Sequence, residues 1–108
     1  MWAVGCVFAE MALRKELFSG VTELDQVEAI FQLLGSPSAT FYPEAFDLPL
    51  MRSLVYRASQ DSTGVLTERL LPLLGADGID LLWKLVALNP SQRLSASEAL
   101  KHPFFTLF

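Results

Sequence analysis

The sequence predicts an all-α chain. Apolar residues recur at helical spacing over residues 24–34, and eight of the ten residues from Ile79 to Leu88 are apolar. Two capping patterns led by Thr22 and Ser95 mark helix starts, and no stretch alternates apolar with polar residues as a half-buried strand would.

Each element follows from local chemistry. Trp2–Leu13 is apolar on nearly every side, with Glu10 its only charge. A helix of that kind is expected to be buried within a larger protein. No capping residue precedes it, as if its beginning had been removed. Leu17-Phe18-Ser19-Gly20 reads as a loop. Thr22 then leads a Thr-x-x-Asp start, and Leu24, Val27, Ile30, Phe31 and Leu34 form one face opposite Asp25, Glu28 and Gln32. Gly35 closes this helix, and Pro37 prevents a restart.

Ser36–Val65 has no clear periodicity. It carries Pro37, Pro43 and Pro49 among Phe41, Tyr42, Phe46 and Tyr56. So long a structureless stretch in a compact chain reads as a functional or docking insertion, over about residues 38–65. Its four aromatics are candidate docking residues, with plain packing as the blander reading.

Leu66–Leu74 is expected to be a short helix interrupted at Pro72, followed by a turn at Gly75-Ala76-Asp77-Gly78. In Ile79–Leu88, Asp80 and Lys84 lie four apart and can pair. Pro90 ends that helix. Ser95-Ala96-Ser97-Glu98 is a full capping box for a last helix, Ala96–Lys101. His102-Pro103 stops it, and Phe104-Phe105 dock as an apolar tail.

Bulk composition narrows the function classes. The 108 residues are 52% hydrophobic with a mean hydropathy of +0.38, an excess that anticipates more protein packed around this one. The net charge of −4, with eight scattered Lys and Arg, argues against a nucleic-acid or anionic-membrane surface. One cysteine and one histidine cannot assemble a structural-zinc set, and no metal site is expected. The basic pair Arg14-Lys15 follows the first apolar run, the reverse of a secretory signal, and a membrane span needs about 20 apolar residues. Val4-Gly5-Cys6 leaves no room for a lipoprotein signal. His102 has no identifiable nucleophile or acid partner and reads as structural, and Cys6 reads as a small apolar core residue.

The order of the pieces resembles one family. MWAVGCVFAEMALRKELFSG is similar to the central helix of a protein kinase C-terminal lobe of cyclin-dependent type, with Trp2, Gly5, Cys6, Glu10, Phe18 and Gly20 in register. LDQVEAIFQLLGSP resembles the next helix and its exit, and the aromatic segment sits at that group's characteristic insertion. NPSQRLSASEALKHPFF resembles its closing sequence, with Asn89-Pro90 in place of Asp-Pro. That replacement and the stretch Trp2–Cys6 lean toward the kinase-activating branch, whereas Tyr42 departs from the group's usual tryptophan.

The resemblance implies a C-terminal-lobe subdomain, 1–108, of a serine/threonine kinase. The parent would transfer the ATP γ-phosphate with Mg²⁺ and a cyclin, in the nucleus or cytoplasm. Phosphoryl transfer needs a glycine-rich loop, a strand lysine, a catalytic aspartate and metal-binding residues. None of those motifs occurs in these residues, so no catalytic, cofactor or metal residue is assigned to them. The chain's partners are then expected to be the remainder of a kinase domain or other proteins, with cyclin reached only through the other lobe. The alternative is a non-catalytic helical interaction module derived from a kinase lobe, binding through residues 38–65.

Two site residues come with the resemblance. Glu10 matches a position that in some kinases meets basic substrate side chains, although a core glutamate bonded to nearby backbone is the plainer reading. Arg93 matches an arginine that pairs with the buried glutamate of an Ala-Pro-Glu motif, for which a guanidinium's two parallel donors suit. No Ala-Pro-Glu occurs in this sequence. Removing one partner of a buried pair costs about 3–5 kcal/mol, so the chain alone is expected to be marginally stable. Arg93 is then expected to turn to solvent or to borrow Glu98 or Asp77.

Overall fold

The computed structural model describes residues 1–35 and 63–105. The secondary structure among them is entirely helical: α1 (Trp2–Leu13), α2 (Glu23–Leu34), α3 (Thr63–Leu85) and α4 (Ala96–Leu100), with single 3₁₀ turns at Pro90–Gln92 and Pro103–Phe105. The all-α expectation holds. The chain divides into two compact units, residues 18–64 and the remainder.

In the unit holding α2, the predicted boundaries are met. The Thr22 hydroxyl accepts from the Asp25 N–H at 3.1 Å, satisfying one of the donors a helix start leaves over. Glu23 and Asp25 place negative charge on the first turn, where the helix dipole favours it. Gly35 ends the helix, its N–H donating to the Phe31 carbonyl at 2.9 Å. The remaining insertion residues, including Phe41, Tyr42, Phe46 and Tyr56, lie outside the described residues. Helix begins at Thr63, ahead of the predicted start at Leu66.

The other unit is built on α1, α3 and α4. Helix α3 is continuous through Pro72 and breaks at Gly75, where φ is +73° and ψ 172°. The sequence places the interruption at Pro72, and the structure corrects this. Proline costs a helix one hydrogen bond and a clash with the preceding turn, but it leaves a negative φ. Only glycine takes the left-handed value at residue 75 without a Cβ penalty. The Trp83 indole N–H donates to the Thr67 hydroxyl at 3.0 Å, tying the two arms of α3 across that break.

Beyond α3 the chain folds back on itself. The Asn89 side-chain oxygen accepts from both the N–H and the hydroxyl of Ser91, at 3.0 and 2.9 Å. The Leu94 N–H reaches the Lys84 carbonyl at 3.1 Å. The capping box before α4 is complete: Ser95 Oγ accepts from the Glu98 N–H, and Glu98 Oε1 from the Ser95 N–H. Leu81, Leu85 and Ala99 form a buried cluster with Phe8, Leu94 and Phe104 packed against it.

Helix α1 is covered on one side only. Its buried residues are Gly5 and Ala9, four apart on one face. Val4 is 53% exposed, Val7 54% and Met11 77%. The all-round apolar character predicts burial within a larger protein; in this unit the covered side is that of Gly5 and Ala9, with Phe8 packed against the core beside them.

Candidate functional site

The residue singled out by the sequence, Arg93, closes the 3₁₀ turn after α3 and is half-buried. Its Nε donates to the Ala87 carbonyl at 2.7 Å and Nη2 to the Leu88 carbonyl at 3.2 Å. Both carbonyls follow directly on the end of α3, where backbone acceptors lack intrahelical partners. The guanidinium carbon also lies 4.8 Å from the Trp2 ring centroid, a cation–π distance. The predicted rescue by Glu98 or Asp77 does not occur. Glu98 is committed to the Ser95 capping box, and carbonyls and an indole face take the cation instead. Arg93 thereby joins the start of α1 to the end of α3.

Glu10 is exposed on α1 and is not a core glutamate; its backbone carbonyl accepts the Arg14 N–H at 2.7 Å. Cys6 is half-buried, and burial pushes its thiol up against an opposing pull from the Arg93 charge. That combination disfavours a reactive thiolate. Among the described residues no group of three or more His, Cys, Asp or Glu is placed to hold a metal ion. No helix among them is long and apolar enough to cross a membrane.

Two features escaped sequence reasoning. The first is an open groove of about 680 Å³, bordered by Val4, Val7 and Met11 of α1, Leu81 of α3, Leu100 of α4 and Phe105. Every residue lining it is apolar. Its signals in the sequence were the excess hydrophobicity of the chain and the all-round apolar character of residues 2–13. The second is a polar clasp. The Asp80 carboxylate meets Lys84 Nζ at 2.9 Å, as its helical spacing predicts, and also His102 Nε2 at 2.7 Å. Twenty-two residues separate Asp80 from His102, beyond the reach of any local pattern.

These contacts carry a pH dependence. Lys84 first, then His102, hold the Asp80 carboxyl below its usual range. The Ser95 backbone and hydroxyl do the same for Glu98. A carboxyl depressed in the folded state stabilises fully above its unfolded value, about 4, and loses that contribution as pH falls through the folded value. Asp80 is half-exposed, so solvent screening keeps its share below about 1 kcal/mol. In melts followed by circular dichroism from pH 6 to 2.5, Asp80→Asn is expected to lose less stability on acidification than the parent chain. An equal loss would assign the acid sensitivity elsewhere.

The unit is a helical scaffold whose helix α1 is apolar on its open side, with an arginine fastening the turn that follows α3. Residues 1–105 match the protein kinase domain, and the chain belongs to that family, as a helical C-terminal-lobe segment of cyclin-dependent type. It is 44% identical over 105 residues to the serine/threonine-protein kinase ppk23 of Schizosaccharomyces pombe, covering 97% of this chain and 26% of that protein. It is 41% identical over 105 residues to cyclin-dependent kinase 11 of Dictyostelium discoideum, covering 97% and 28%. Against cyclin-dependent kinase 11A of Homo sapiens the identity is 37%, covering 97% and 13%. The chain thus spans little more than a quarter, at most, of the length of these three relatives.

Proposed function

We propose that this chain is the helical floor of a cyclin-dependent-type serine/threonine kinase, one that transfers the ATP γ-phosphate to protein hydroxyls. Its own residues supply scaffold and no phosphate chemistry. ATP and Mg²⁺ would be held by the remainder of the kinase domain, and a cyclin would reach the enzyme through the other lobe. Such an enzyme would work in the nucleus or cytoplasm.

The observation that carries this reading is the groove. Its walls are wholly apolar, and three large α1 side chains on it are more than half exposed. Apolar patches of this kind mark interaction sites. The occupant we assign is the remainder of the kinase domain, because the relatives are several times longer than the stretch they share with this chain. Arg93 fits the same picture. Two carbonyls hold its Nε and Nη2, leaving the outer edge of the guanidinium to receive a carboxylate from that remainder through two parallel bonds.

The test is co-expression of the 108-residue chain with the part of the Schizosaccharomyces pombe relative's kinase domain preceding the match. The two are expected to co-purify. Val7→Asn should weaken their association at least about ten-fold, since it would bury an amide without a partner, while leaving the chain's own helix content unchanged. Failure to associate, or indifference to Val7→Asn, would remove the groove as the seat. Micromolar ATP binding by the chain alone in calorimetry would overturn the division of labour.

A further inference from the structure

The C-terminal turn of this chain is held by an imidazole that can hold it in only one protonation state. His102 is buried, with its side chain 5% exposed. Its Nδ1 accepts the Phe104 backbone N–H at 3.1 Å. An acceptor nitrogen carries no hydrogen, so the ring proton of the neutral form sits on Nε2 and is donated to Asp80 Oδ2 at 2.7 Å. The ring therefore bridges α3 to the turn Pro103–Phe105.

A second proton can only go to Nδ1. The imidazolium would keep its bond to Asp80, but its new N–H would point at the N–H of Phe104 across the same 3.1 Å. Two donors cannot share that line, and either the ring or the turn must move. The charged group that meets the ring is Asp80 on α3, whose carboxylate also binds Lys84 of the same helix. The Asp80 carboxylate is already shared with Lys84 and half in water, so what it adds for the imidazolium is screened. The Asp80 bond needs only the Nε2–H that both forms carry, whereas the Nδ1 acceptor is lost on protonation, so the turn is what is let go.

Phe104 gives that release a consequence. Its ring packs against Phe8 at 5.4 Å and Phe105 at 5.2 Å, and against the cluster of Leu81, Leu85 and Ala99. Phe104 and Phe105 both border the groove. We propose that His102 is an acid-operated latch: protonation at Nδ1 frees the Pro103–Phe105 turn while the ring remains on Asp80, and removes one wall of the apolar groove. The latch lies wholly within the chain and stands or falls independently of what the groove seats.

The test is nuclear magnetic resonance on the full chain between pH 8 and 5, the range in which histidine ordinarily changes charge. His102 ring carbon shifts report protonation, and amide exchange, corrected for its intrinsic pH dependence, reports the turn. Protection of the Phe104 amide is expected to fall about ten-fold as the ring titrates, roughly the effect of one lost hydrogen bond, while the Trp83 indole signal stays constant. In Asp80→Asn, whose amide oxygen can still accept from Nε2–H, the loss of Phe104 protection should still track ring protonation; a purely packing role for His102 predicts no such link. A ring that titrates without loss of Phe104 protection would overturn the latch. So would a ring that never titrates in this range, or amides throughout the chain losing protection together.

Discussion

Gly5→Val is expected to destabilise the chain by about 3 kcal/mol, against a gain were the site a free helix surface, because valine outranks glycine in helix propensity. A Cβ at residue 5 would lie 2.6 Å from Val86 Cγ1, 2.9 Å from Leu85 Cβ and 3.4 Å from the Leu85 carbonyl carbon. Val86 is fully buried and Leu85 nearly so, and a Cβ is fixed to its backbone. Neither neighbour can yield without moving α3. Close packing makes such a contact cost more than propensity returns. Urea denaturation followed by circular dichroism measures the loss. Gly5→Ala should show the same sign at smaller amplitude, since its single methyl meets the same atoms. Unchanged or raised stability for both variants would mean that α1 does not cross α3 at this point.

That crossing shows which parts of the structure were legible in the sequence. Features decided within four residues read correctly: the Thr22 cap, Gly35 at the end of α2, the Ser95–Glu98 capping box and the Asp80–Lys84 pair. Each is a donor or acceptor satisfied by a near neighbour, so spacing alone specifies it. Gly75 was legible as a turn, but Pro72 drew the break toward itself, because sequence shows a missing N–H and not the φ that the chain adopts.

Features decided across the chain were not legible. The resemblance identified Arg93 as important, yet its contacts are with Trp2 and with the carbonyls of Ala87 and Leu88. A carbonyl carries no mark in a sequence, since every residue has one, and Trp2 lies ninety-one positions away. The four aromatics proposed for docking lie outside the described residues, and the surface proposed from the described ones is another. It is the open side of α1, which sequence could describe as apolar but could not describe as uncovered.

Leu81→Ala is expected to cost about 3 kcal/mol in the isolated chain and more once the groove is filled. Leu81 is 1% exposed and packs with Leu85 and Ala99 beneath Phe8 and Phe104. Truncating a buried leucine forfeits its transfer free energy plus a cavity term, together about 2–5 kcal/mol. The cavity term depends on whether the void is sealed. Leu81 also borders the groove, so in the isolated chain the space left by its side chain opens outward, and neighbouring side chains can settle into it. With an apolar partner seated above, the same void would be closed and dry, and the full cavity cost would appear. Urea denaturation of the variant alone gives the first value. A thermodynamic cycle with the co-expressed kinase segment gives the second, expected to be larger by roughly 1 kcal/mol. A loss below about 1 kcal/mol in the isolated chain would mean that the cluster around Leu81 is not a packed core. Equal losses with and without the partner would mean that the partner does not lie over this floor.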